Sequence, residues 1–133
     1  MDFLHTLSKD DLQSGLGEMS HYFIVAGEKD FKDYKREYEN ALNNKNTLAK
    51  MISNSLKIKK SYIEIDEFDQ NKRQIFNYGH TFGHAIEKLC GYGNILHGEA
   101  VSIGMVAAGE LAVRKNFWGK DLAERQTSLL KKV

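Results

Sequence analysis

Apolar side chains recur every three or four positions along most of the chain, and this period predicts helices rather than strands. Ser8 and Asp11 form a capping-box pattern ahead of the first predicted helix, over about residues 9–25. Further helices are predicted over about 31–42, 47–65, 73–89 and 98–115, and from 120 onward, with polar turns between them. No alternating run ends in a hairpin dipeptide, and the chain has no proline. We therefore predict a single all-α domain over residues 1–133.

Two of the predicted helices carry features that indicate close packing. The helix over 98–115 is apolar almost all round, so we expect it to be buried on most faces. Gly79 and Gly83 fall within the helix predicted over 73–89, where each costs about 1 kcal/mol relative to alanine. Such a cost indicates that another helix or a ligand packs close to the backbone there.

Composition narrows the class of protein. Nineteen basic and eighteen acidic residues leave a net charge of +1, which disfavours a nucleic-acid partner. One cysteine, Cys90, excludes an internal disulfide. No signal-peptide pattern opens the chain, and the apolar stretch over 101–113 is shorter than the roughly 20 residues that span a bilayer. We expect a soluble, cytoplasmic domain with no membrane partner.

Histidines supply the candidate chemistry. His80 and His84 are four residues apart and share one helix face, and His97 follows at the start of the next helix. Glu18 lies on a mostly apolar helix, where a charged group needs a partner. Two histidines and one carboxylate suit a catalytic zinc ion, which takes three protein ligands and keeps one position open. The residues alone leave two alternatives, namely partly buried histidines without a metal, and a salt bridge from Glu18 to a lysine. Glu99, in a first helical turn, fits a helix-dipole role.

Two segments carry a family resemblance. RQIFNYGHTFGHAIE over 73–87 and LHGEAVSIGM over 96–105 closely resemble the signature of 3-dehydroquinate synthase, a sugar phosphate cyclase. Residues 4–8, 14–18, 58–59 and 66–67 resemble further blocks of that family. The chain is identified on these segments as a member of the family, similar to its C-terminal helical domain.

The resemblance implies a metal site, a substrate site and a reaction. The implied ligands of a zinc or cobalt ion are Glu18, His80 and His97. The implied substrate-binding residues are Lys59, Asp69, Arg73, Asn77 and His84, of which Lys59, Asn77 and His84 are also candidate catalytic residues. The family converts 3-deoxy-D-arabino-heptulosonate 7-phosphate into 3-dehydroquinate and phosphate, in the shikimate pathway of aromatic amino acid biosynthesis. It uses NAD bound to an N-terminal domain, and the full enzyme is expected to form a homodimer.

The chain departs from the family pattern in two ways. His21 stands where the family has a lysine, and no G-x-G-x-x-G motif for NAD is present. The chain also ends before the family's last helices. We therefore expect it to be inactive without the NAD domain. Three alternatives follow: a cyclase that makes another cyclitol, a non-catalytic helical module for metal binding or interaction, and a metallohydrolase using Glu18, His80 and His84. The last lacks the H-E-x-x-H arrangement.

Overall fold

Helices account for nearly all the regular structure of the chain. The computed structural model describes residue 4, residues 6–91 and residues 93–133; His5, within the segment 4–8 that resembles the family, lies outside them. The α-helices in this part are α1 (Lys9–Ala26), α2 (Glu28–Ala41), α3 (Lys45–Ile65), α4 (His80–Cys90), α5 (His97–Arg114) and α6 (Lys120–Leu130). No strand occurs among these residues. The predicted all-α class is confirmed.

The helix starts follow local capping chemistry. The Ser8 side chain accepts the Asp11 N–H, and the Asp11 carboxylate accepts the Ser8 N–H, which confirms the predicted capping box of α1. Asn44 Oδ1 accepts the N–H groups of Asn46 and Thr47, so α3 begins two residues before its predicted start. Glu99 in the first turn of α5 accepts the Leu96 N–H, which agrees with its predicted role at a helix start.

The prediction of one continuous helix over 73–89 is wrong. A 3₁₀ helix (Lys72–Asn77) comes first, and α4 begins only at His80. Gly79 separates the two with a φ of 85°, a left-handed conformation that favours glycine, so it lies outside the helix rather than within it. His80 consequently occupies the first position of α4.

The main core joins α1, α2 and α3, with a contribution from α6. Its members are apolar or aromatic and at most 8% exposed: Leu16, Phe23, Phe31, Tyr34, Tyr38, Ala41, Leu48, Met51 and Leu129. The two buried tyrosines keep hydrogen-bond partners, since Tyr34 donates to the Leu16 carbonyl and Tyr38 to the Lys132 carbonyl. This core holds α1 as the fixed helix against which α5 packs.

Glycines bring α5 close to both α1 and α4. A Cβ on Gly98 would overlap the Ser14 carbonyl oxygen of α1, and a Cβ on Gly104 would overlap the Gly79 carbonyl oxygen. Gly83 lies on α4 where a Cβ would come 3.0 Å from the Cα of Val101. Another helix or a ligand was expected close to the backbone at Gly79 and Gly83. The structure has a helix, α5, packed against both glycines.

The opposite face of α5 is open. Ile103 is 50% exposed and Leu111 is 46% exposed, whereas Val101 and Met105 are fully buried. The expectation that this helix is buried on most faces holds for the sides that pack on α1, α4 and α6, whereas Ile103 and Leu111 mark the one side that the described part of the chain leaves uncovered. None of the helices in residues 6–91 and 93–133 is long and apolar enough to cross a membrane.

The contact between α4 and α5 makes a stability prediction. Gly104→Ala should lower the free energy of unfolding by about 1–3 kcal/mol or more, because the new Cβ would meet backbone atoms that cannot move alone. Gly15→Ala is the matched control, since a Cβ there meets nothing within 4 Å and α1 would gain about 0.5–1 kcal/mol. Urea unfolding followed by circular dichroism measures both. Equal stability of Gly104→Ala and the parent would contradict this packing.

Candidate metal centre

Three predicted ligands from three helices meet at one point. Glu18 lies in the middle of α1, His80 begins α4 and His97 begins α5. Glu18 Oε2 is 3.6 Å from His80 Nε2 and 3.5 Å from His97 Nε2. Their ligand atoms lie within 4.8 Å of one another. The close packing of α5 on α1 and α4 brings these side chains together from distant parts of the chain.

The separations suit a small cation. Zinc binds nitrogen and oxygen ligands at about 2.0–2.1 Å, so two ligands at tetrahedral angles lie about 3.3 Å apart. The two measured distances from Glu18 Oε2 are only slightly longer. Side-chain exposure rises from 15% at His80 through 32% at Glu18 to 43% at His97, so the cluster is open on one side. A metal held there would keep a free position facing solvent.

The ion-pair partners of Glu18 in the described part of the chain are imidazoles, and one of its oxygens has no hydrogen-bond partner. Its Oε2 atom is buried and has no hydrogen-bond partner, although such an atom costs free energy when left alone. Its ion pairs are with His21, His80 and His97, so the predicted alternative of a salt bridge to a lysine finds no support in the part of the chain that is described. Burial raises the pKa of Glu18, but the imidazoles of His80, His21 and His97 close to it together hold the pKa below its ordinary value. The nearby Glu18 carboxylate in turn raises the pKa of His80.

The outer nitrogens of both ligand histidines face acceptors. His97 Nδ1 lies 3.2 Å from each carboxylate oxygen of Glu87, and His80 Nδ1 lies 3.4 Å from the Tyr78 carbonyl oxygen. Glu87 was not predicted as a site residue. Its position seven residues after His80 places it on the same face of a helix, and that spacing was the available signal.

His21 lies behind Glu18 as a buried neutral side chain. It is 1% exposed, its Nδ1 has no hydrogen-bond partner, and that atom is 3.7 Å from Glu18 Oε1. Burial lowers the pKa of His21 from 6.5 to about 4, and the Glu18 carboxylate offsets only part of this effect. Near neutral pH the position therefore carries no charge, in contrast to the lysine of the family pattern.

Two of the predicted substrate residues, His84 and Lys59, make contacts at the cluster or next to it. The exposed His84 ring is 5.6 Å from that of His80 and 5.7 Å from that of His97. Lys59 on α3 places its ammonium 5.7 Å from the centre of the Tyr22 ring, next along the chain from His21. Asn77 is exposed at the end of the 3₁₀ helix.

Two further predicted residues belong to the loop before the 3₁₀ helix and to its start. Arg73 donates from its guanidinium to the Glu67 carbonyl, and its N–H bonds to the buried carboxylate of Asp66. Asp69 is exposed, with a φ of 56°. No hydrogen bond or ion pair within the described residues joins either side chain to the histidine cluster.

Sequence comparisons show the family to which this all-α domain belongs. The family described as 3-dehydroquinate synthase C-terminal matches residues 15–133. The 3-dehydroquinate synthase of Prochlorococcus marinus strain MIT 9312 is 43% identical over 131 residues, which cover 96% of this chain and 36% of that protein. The 3-dehydroquinate synthase of a second strain of the same organism is 46% identical over 136 residues, covering 98% and 36%. The chain is an all-α domain with one carboxylate and two histidines at an open cluster, and it belongs to the 3-dehydroquinate synthase C-terminal family. It spans about a third of the length of these relatives.

The buried neutral His21 makes a prediction about acid stability. Its pKa is about 4 in the folded chain and 6.5 as a reference for the unfolded chain, so the unfolded chain takes up a proton first as the pH falls. The contribution of neutral His21 to the free energy of unfolding is complete above about pH 6.5 and is lost as the pH falls toward about pH 4. Between about pH 7 and about pH 5 the loss is about 2 kcal/mol. The raised pKa of His80 has the opposite effect on stability. Its contribution to the free energy of unfolding is complete below the pKa of the unfolded chain and is lost as the pH rises through the folded pKa.

Comparison with His21→Gln isolates this contribution. Urea unfolding at several pH values should give a flatter dependence for the variant than for the parent over that window. A change in packing would shift the whole curve by a constant amount and leave its slope unaltered. Equal slopes for the two chains would contradict a neutral buried His21.

Proposed function

We propose that this chain forms the metal- and substrate-binding part of a 3-dehydroquinate synthase. The reaction is conversion of 3-deoxy-D-arabino-heptulosonate 7-phosphate into 3-dehydroquinate and phosphate. The observation that carries the proposal is the meeting of Glu18, His80 and His97 around a buried carboxylate oxygen that has no hydrogen-bond partner. Glu18, His80 and His97 would hold a zinc or cobalt ion. When bound, such an ion acts as a Lewis acid that polarises the substrate alcohol to be oxidised.

The residues around the cluster provide the groups that the substrate requires. The substrate carries a carboxylate and a phosphate, and Lys59 and Arg73 supply positive charge for them. His84 is exposed beside the ligand histidines, and Asn77 is exposed at the end of the 3₁₀ helix, three residues before His80. In this proposal His84, Lys59 and Asn77 contact the reacting part of the substrate, while Asp69 borders it. These assignments rest on the family pattern together with the positions of the side chains.

The proposal assigns NAD to another domain. The reaction requires hydride transfer, for which the nicotinamide must lie about 3–3.5 Å from the substrate carbon. The chain contains no glycine-rich dinucleotide motif, and it covers about a third of its relatives. We infer that the cofactor is held by an N-terminal domain of the longer protein, that the site lies in the cleft between the two domains, and that the complete enzyme is a homodimer.

Zinc binding tests the metal site directly. We expect one zinc ion per chain, measured by competition with a chromophoric chelator. Glu18→Gln, His80→Gln and His97→Gln should each lower the affinity by more than about 100-fold, since loss of a ligand should exceed the 10–100-fold effect of an outer partner. His84→Gln is the matched control, because it makes the same change at a histidine outside this set of three. Parent-like affinity in the His80 or His97 variant would contradict the site.

Phosphate release tests the reaction. The chain alone, with NAD and zinc, should release no phosphate from the heptulosonate phosphate. Adding the N-terminal domain of a relative such as the Prochlorococcus marinus enzyme, or joining it in frame, should restore release. In that assembly Glu18→Gln should remove most of the activity, because it removes a metal ligand. Activity in the isolated chain would contradict the division of the site between two domains.

The neutral His21 favours a second candidate function, that of a non-catalytic metal-binding module or a cyclase for another substrate. A buried imidazole cannot present the positive charge that a lysine would bring to an anionic substrate. In the assembled protein, His21→Lys should keep or raise phosphate release if the family substrate is used. An inactive assembly that His21→Lys does not rescue favours the second function.

A further inference from the structure

Glu87 is a partly buried carboxylate directed at a candidate metal ligand. It lies on α4, and its side chain is 15% exposed. Both of its oxygens are 3.2 Å from His97 Nδ1, and His97 is its ion-pair partner in the described part of the chain. A carboxylate taken partly out of water needs such a partner. The contact with His97 therefore stabilises the partly buried Glu87 carboxylate whether or not a metal is bound.

This contact selects which ring nitrogen of His97 carries the hydrogen. Both ring nitrogens of His97 face a carboxylate, which can only accept. The two contacts of Nδ1 with Glu87 are the shorter ones and are hydrogen bonds, so the neutral imidazole donates from Nδ1 and keeps the lone pair on Nε2. That Nε2 atom faces Glu18 Oε2 at 3.5 Å. His80 repeats the arrangement, with Nδ1 toward the Tyr78 carbonyl and Nε2 toward the same oxygen of Glu18. Both rings thus present the same nitrogen to one point, each held from behind by an acceptor.

We propose that Glu87 is a positioning residue for the metal site, which holds His97 in the Nδ1–H tautomer with Nε2 directed at the ion. The proposal rests on the proposed function, in which His97 is a ligand. Carboxylates behind ligand histidines fix the ring orientation and increase the basicity of the ligand nitrogen. His80 has a backbone carbonyl in the same place, so Glu87 is the outer partner that a substitution can remove.

A competing interpretation makes Glu87 a ligand itself. Atoms of His84, Glu87 and His97 also lie within 4.8 Å of one another. A second cation bound there would need the lone pair of His97 Nδ1, and that nitrogen would then carry no hydrogen. The two interpretations therefore differ in the number of ions bound and in the tautomer of His97.

The experiment measures zinc affinity and stoichiometry for the parent, Glu87→Ala, Glu87→Gln and the control Glu110→Gln. Glu110 is exposed on α5, far along the helix from His97. We expect one zinc ion per chain, an affinity about 10–100-fold lower in Glu87→Ala, and a smaller loss in Glu87→Gln, whose amide oxygen still accepts. The control should match the parent. Nitrogen-15 NMR of the metal-free parent at about pH 8 should show His97 with its hydrogen on Nδ1.

The outcomes distinguish failure of the positioning role of Glu87 from failure of the proposed metal site. Parent-like zinc affinity in Glu87→Ala overturns the positioning role and leaves the metal site intact. Two zinc ions in the parent and one in Glu87→Ala, or a hydrogen on His97 Nε2, would also overturn it. A parent chain that binds no zinc overturns the proposed metal site, and the positioning role with it. Partial rescue by Glu87→Gln distinguishes loss of the acceptor from general damage to α4.

Discussion

The near-contact of the α5 backbone with α1 and α4 is the constraint on which the rest of the structure depends. Gly98 and Gly104 allow it, because a side chain at either position would overlap a carbonyl oxygen of the neighbouring segment. The first contact brings the start of α5 to the middle of α1, where Glu18 lies. The second holds the start of α4, and therefore His80, against the same helix. Without these two approaches the three candidate ligands would lie on separate surfaces.

That packing places a carboxylate partly out of water and leaves one of its oxygens without a hydrogen-bond partner. Glu18 is half-buried among histidines, and one of its oxygens has no hydrogen-bond partner. The tertiary structure places three imidazoles around it, one of them the buried neutral His21. A partly buried carboxylate oxygen without a partner costs free energy, and because the surrounding imidazoles lower the pKa of Glu18, a cation rather than a proton would complete it. This is the physical reason that we interpret the cluster as a metal site rather than a set of packed histidines.

Much of the fold could be predicted because helix formation depends on nearby residues. The period of apolar side chains located the helices, and the capping chemistry of Ser8 fixed the start of α1. The prediction was wrong where distant contacts decided the outcome. The helix expected over 73–89 is interrupted at Gly79, whose left-handed conformation allows the close approach to α5. The apolar pattern of α5 predicted that most of the helix is buried, but it could not say which side stays exposed at Ile103, because that depends on which neighbours cover it.

For the site, the sequence by itself determined the residue types and, through the family signature, the candidate set. Spacing alone pointed to His80 and His84 as the pair, since they share a helix face. Only the tertiary structure decided that His80 meets His97 and Glu18 instead, that Glu87 stands behind His97, and that His21 is buried. The reason is physical. Contacts between residues on different helices, and the burial of a side chain between them, depend on the distances between helices, which are set by side-chain packing rather than by local hydrogen bonding.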